Sequence, residues 1–129
     1  GTYKERISLT RINLVQPTEL SRQHLIAEYR ELPRVFNLVR NRIREGHLPK
    51  DCSIPSQYVL GKGHVTFFFT KLLFLKKRQD SLISEVKRRG YVANFGSPDI
   101  SDIPDIWKKD YFPTISEIEI NQQRIKERS

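Results

Sequence analysis

The chain has 129 residues, enough for one domain with a modest core. Its net charge is +8 and its pI about 9.8, with Lys and Arg spread along the whole length, which favours nucleic acid or another polyanion as partner. Its apolar runs are too short to span a bilayer, its amino end does not read as a signal peptide, and a lone Cys52 excludes an internal disulfide, in keeping with a reducing cytoplasm.

In chain order, the strongest element is a helix from about Ser21 to Glu45. Leu25, Tyr29, Leu32, Phe36, Val39 and Ile43 recur at steps of four and three, which marks one apolar face. Thr18 or Ser21 supplies a cap and Gly46 an end. Pro33 lies inside this run and should bend it near Tyr29 and Arg30, where a backbone hydrogen bond is lost. From Cys52 to Phe69 the chain is rich in Gly, Pro and aromatics and reads as ordered loop. A second helix runs from Lys71 to Arg89, stopped by Gly90, with Leu72, Leu75, Leu82 and Val86 as its stripe. Gln79 falls on that stripe and reads as a core glutamine bonded to backbone. Ser97 to Pro113 carries three prolines and reads as loop, with Trp107 and Tyr111 either core anchors or ligand contacts. A third helix covers roughly Ile115 to Glu127, with Ile118 and Ile125 inward. The expected fold is therefore all-α: one domain of three helices joined by long ordered loops.

Gly61-Lys62-Gly63-His64 lacks the spacing of a phosphate-binding loop and reads as a tight turn. His24, His47, His64 and Cys52 have no metal-ligand spacing, and Phe67-Phe68-Phe69 reads as core. The distinctive cluster is Arg30-Glu31-Leu32-Pro33-Arg34. Arg30 and Arg34, four apart, would share a helical face suited to phosphates, with the Glu31 carboxylate at its edge. Read without context, such a cluster is equally a solvated surface.

The blocks Thr10-Arg11-Ile12-Asn13-Leu14, Gln23-His24-Leu25 and Ala27 through Phe36 resemble the phage-type pyrimidine-dimer DNA glycosylase and abasic-site lyase family. This is the dimer-specific endonuclease V family. The similarity continues through Leu60 to Phe68, Arg78-Gln79, Asp99 to Pro104 and Asp110-Tyr111, so it spans residues 10–129, with residues 1–9 as an amino-terminal extension. The resemblance implies a compact three-helix fold. It implies that the α-amino group of Thr10 is the nucleophile; such an amine has a pKa of about 7.7–8.0, against roughly 10.4 for lysine, and is substantially unprotonated near neutrality. It also implies that Glu31 is the general acid/base, and that Arg11, Arg30 and Arg34 hold phosphates of a kinked duplex. His24 matches a family residue near the site or is a surface histidine; Gln23, Arg124 and Arg128 complete the expected DNA contacts. The family flips out the adenine opposite the lesion and needs no metal or organic cofactor. The implied partner is double-stranded DNA carrying a pyrimidine dimer or abasic site, met by a monomer in the cytoplasm or at the nucleoid, with no membrane role.

Two features depart from the family pattern. Gly1 to Leu9 precede Thr10, whose nitrogen is then a peptide nitrogen. Leu9 stands where the family has its initiator methionine, so one expectation is a start at residue 9 whose removal exposes Thr10. Proteolysis, or a substitute amine on Gly1 or Lys4, are the others. The chain also ends at Ser129 without the family's aromatic tail, which implies a relaxed lesion preference. Against the repair enzyme stand a non-catalytic binder of kinked or damaged DNA on the same scaffold, and a generic basic nucleic-acid binder.

Overall fold

Pro33 decides the first departure from these expectations. The computed structural model describes residues 11–128, so Thr10, the extension 1–9 and Ser129 lie outside the described residues. The single helix expected over 21–45 is two: α1 (Arg22–Glu31) and α2 (Arg34–Arg44). With α3 (His64–Phe67), α4 (Leu72–Arg88) and α5 (Ile115–Arg128), the described residues form four longer helices and one single-turn helix, where the periodicity gave three. The all-α class stands; the described residues contain one isolated antiparallel bridge, between Lys71 and Lys108, and no strand.

The break is compensated from across the core. Proline has no N–H, so the Tyr29 carbonyl four residues earlier loses its helical donor. Gln79 on α4 supplies the replacement, its Nε2 donating to the Tyr29 carbonyl at 3.0 Å. A fully buried glutamine on an apolar stripe thus repairs the backbone of the neighbouring helix. Ser21 is the cap of α1, its Oγ accepting the His24 N–H at 3.2 Å, while Thr18 lies in the short 3-10 turn Pro17–Glu19.

The apolar faces meet as the periodicity requires. Leu25, Tyr29, Leu32, Phe36 and Val39 from α1 and α2 are buried with Leu72, Leu75, Leu82 and Val86 from α4. Gly90 follows α4 at a φ of +86°, a conformation that glycine adopts without steric cost. The loop expected over 52–69 contains α3 and the 3-10 turn Phe68–Thr70, elements too short for any periodicity to register. Gly63 starts α3 at a φ of +88°, and a Cβ there would meet Pro55 Cγ at 3.0 Å. Phe67, Phe68 and Phe69 are buried, as expected, with the Tyr58 ring edge-on to the first two. The one helical element in the long segment 97–113 is the 3-10 turn Asp105–Trp107. Trp107 is fully buried and Tyr111 packs edge-on against Phe67, Phe68 and Phe74, so both are core anchors. On α5, Ile118 and Ile125 are partly buried against the core, and the fully buried residue is Asn121. No described helix is long and apolar enough to cross a membrane.

Candidate active site

Residues Ile12 to Val15 run buried through the domain without helix or strand partners. A buried backbone must still satisfy its N–H and C=O groups, and here side chains from four places do so. His64 Nε2 accepts the Ile12 N–H at 2.8 Å, and the Tyr58 hydroxyl donates to the Ile12 carbonyl at 3.2 Å. Asn121 Oδ1 accepts the N–H groups of Leu14 and Val15 at 2.6 and 3.2 Å. Arg78 Nη1 donates to the Val15 carbonyl, while its Nε and Nη2 bind the Glu28 carboxylate at 2.8 and 3.0 Å. Both partners of that ion pair are buried, and a lone buried charge costs about 3–5 kcal/mol, so the two act as one structural unit.

The polarity of His64 follows from its neighbours. The Val59 carbonyl, 2.8 Å from Nδ1, can only accept, so Nδ1 carries the proton and Nε2 is the acceptor for Ile12. Burial pushes the His64 pKa down to about 4; the Val59 bond opposes this and the Arg11 charge reinforces it. Because the folded pKa lies below the unfolded value of about 6.5, the unfolded chain binds the extra proton between those limits and stability falls as pH falls. We expect the unfolding free energy to be insensitive to His64 above pH 6.5 and to lose about 3 kcal/mol between there and pH 4. Carboxylates such as Glu85, held at about 2 by Arg88 and then Arg89, begin to contribute only below their unfolded value of 4.5, which lies under pH 5. Urea titrations at pH 7 and 5 check this: His64→Gln should abolish most of the difference, and an unchanged pH slope in the variant would assign it elsewhere.

This clamped segment borders an open cleft of about 390 Å³ between α1 and α5. Its lining brings together Arg11, Gln23, His24, Glu31, Arg124 and Arg128, all of them singled out in the sequence. Arg30 and Arg34 are not part of the lining. Both are exposed, one in the last turn of α1 and the other opening α2, so the shared helical face expected of them is interrupted at Leu32 and Pro33. Glu31 ends α1, is 26% exposed in its side chain, and lies 3.9 Å from an Arg34 guanidinium nitrogen. Glu28, one turn earlier, also lines the cleft but is committed to Arg78. His47 is remote in sequence from these elements and pairs with Glu45 at 3.8 Å; the described residues hold no metal-binding cluster of His, Cys, Asp and Glu.

Electrostatically the cleft is built for an anion. Burial first, and then the nearby charges of Arg124 and Arg128, push the Arg11 guanidinium below its ordinary pKa, with Tyr58 opposing. Arg11 Nη1, Arg124 Nε and His24 Nδ1 are buried and have no hydrogen-bond partner among the described residues. Buried polar atoms are seldom left unpaired without a functional reason, and phosphate oxygens would satisfy both guanidinium donors. Two or three cations around one carboxylate can hold a sugar–phosphate chain while leaving a single group to move protons.

A family model described as pyrimidine dimer DNA glycosylase matches residues 9–98, well over half of the chain. The chain belongs to this family. A pyrimidine dimer DNA glycosylase acts on damaged DNA. The match includes Arg11, His24 and Glu31 but stops before α5, which contributes Arg124 and Arg128 to the same cleft. Sequence reasoning passed over Asn13, Glu28, Arg78 and Asn121 as parts of the site. Three of them carried a usable signal: Glu28, Arg78 and Asn121 each stand three residues after an apolar stripe position (Leu25, Leu75 and Ile118) and so face inward.

Proposed function

We propose that the chain excises pyrimidine dimers as a glycosylase with associated abasic-site lyase activity, using the α-amino group of Thr10 once that residue is the amino terminus. The observation that carries this reading is the meeting of Glu31 with Arg11, Arg124 and Arg128 in one cleft, Arg11 being bonded directly to Thr10.

The amine lone pair attacks deoxyribose C1′ and forms a C–N bond as the glycosidic bond breaks. The departing pyrimidine keeps that electron pair and gains a proton. Loss of the amine proton and opening of the sugar, with O4′ protonated, leave a C1′ imine. Abstraction of a C2′ proton then expels the 3′ phosphate by β-elimination and cuts the strand. Glu31 supplies the acid and base at these steps, being a partly exposed carboxylate in the lining of the cleft. Arg11, Arg124 and Arg128 hold the flanking phosphates and stabilise the leaving phosphate.

The test is borohydride trapping on a dimer-containing duplex with protein that begins at Thr10. A reduced covalent complex is the expected product. If neither dimer nor abasic duplex is trapped while binding persists, the site is not an imine-forming one. One observation favours a second reading: in the 129-residue chain the Thr10 nitrogen is acylated by Leu9, which would leave a binder of kinked or damaged DNA that does no chemistry. That protein would bind with steep salt dependence and never form an adduct.

A further inference from the structure

Asn121 is fully buried at the middle of α5, beyond the residues matched by the family model, and makes three hydrogen bonds with the amino-terminal segment. Its Oδ1 accepts from Leu14 and Val15, and its Nδ2 donates to Asn13 Oδ1 at 2.8 Å. Asn13 Nδ2 in turn donates to Glu28 Oε1 at 2.7 Å. The direction of this chain is fixed at both ends. The Glu28 carboxylate can only accept, so Asn13 must present its nitrogen to it and its oxygen to Asn121. Asn121 must then present its nitrogen to Asn13, which leaves its oxygen for two backbone N–H groups that can only donate. An amide at position 121 satisfies all three demands at once, whereas a carboxylate would set two acceptors against each other.

The same residue fixes the register of α5. Arg124 and Arg128 lie three and seven positions further on, on the same helical face, and reach the cleft that Arg11 enters from the amino-terminal segment. We infer that Asn121 is a positioning residue for the reaction, holding the amine-bearing segment and the cations of α5 in one geometry. This rests on the imine reading proposed above. Orientation matters steeply in such a reaction, since about 1 Å of misplacement can cost roughly 100-fold in rate.

The experiment compares protein beginning at Thr10 with its Asn121→Leu and Asn121→Ser variants on an abasic duplex. Every core residue named above lies at or after Ile12, and circular dichroism establishes the folded fraction of each protein. Leucine keeps the branching at Cγ and removes every polar contact; serine keeps one group that both accepts and donates. Single-turnover trapping, per folded molecule, should slow at least tenfold in Asn121→Leu and less in Asn121→Ser, with duplex affinity within about threefold of the parent in both. If Asn121→Leu does not fold, slowed trapping at unchanged affinity in Asn121→Ser supports the assignment by itself. Parental trapping rates in the folded variants overturn it, as does a loss of affinity that matches the loss of rate. A parent protein that fails to trap overturns the imine reading, and this inference with it.

Discussion

Glu31→Gln is expected to bind abasic and dimer-containing duplex at least as tightly as the parent while losing strand cleavage by about 100- to 10,000-fold, the range over which a positioned acid or base contributes. Two features separate this from unfolding. The ion pair of Glu31 with Arg34, at 3.9 Å, joins two partly exposed side chains, and such pairs contribute about 0–1 kcal/mol, so its loss alone should leave most of the stability in place. The carboxylate also lines the same cleft as Arg11, Arg124 and Arg128, so its neutralisation leaves a more positive surface for phosphates. Glu28→Gln supplies the contrast. Its carboxylate is buried and bound by Arg78, and there the loss should appear in stability. Gel-shift affinity, a thermal melt and single-turnover cleavage on one preparation decide the matter. If cleavage and affinity fall together in Glu31→Gln, the residue supports the fold or the DNA contact and does not move protons.

Much of this arrangement is legible in the sequence, because the long amphipathic faces follow from periodicity alone. Leu25 to Val39 and Leu72 to Val86 bury as their spacing requires, and Gln79 is bonded to backbone as its position on the stripe suggests. What periodicity could not give is the outcome at Pro33, where a bend and a break look alike until the stranded Tyr29 carbonyl finds its donor on another helix. Nor could it give α3, a single turn. The site divides in the same way. Glu31, His24 and Arg11 stand in ordered blocks that resemble the family, and the cleft gathers them. The scaffold behind them is an irregular buried segment whose partners are non-local: Asn121 is 107 residues from Leu14, and His64 is 52 from Ile12. Contacts of that range leave no spacing to read. Arg30 and Arg34 show the converse, a regular spacing that the proline interrupts.

The same reasoning makes the amino terminus the most consequential position in the chain. Protein that retains Gly1 to Leu9 should not be trapped by borohydride, and protein that begins at Thr10 should be. A peptide nitrogen shares its lone pair with the carbonyl, a delocalisation that underlies the barrier of about 18–20 kcal/mol to rotation about the bond, and is not a nucleophile. Freed, the nitrogen has an ordinary pKa of about 7.7–8.0 and is bonded through one residue to a cleft lined by three arginines. Neighbouring cations disfavour a further positive charge, so trapping should rise with pH through an apparent pKa at or below about 7.7. Acylating the amine of the shorter protein should return it to the behaviour of the longer one without changing its affinity for DNA. Trapping of the 129-residue chain at the rate of the shorter protein would transfer the chemistry to Lys4 or the Gly1 amine. The pH profile then separates those two, since a lysine titrates near 10.4 and an α-amine more than two units lower.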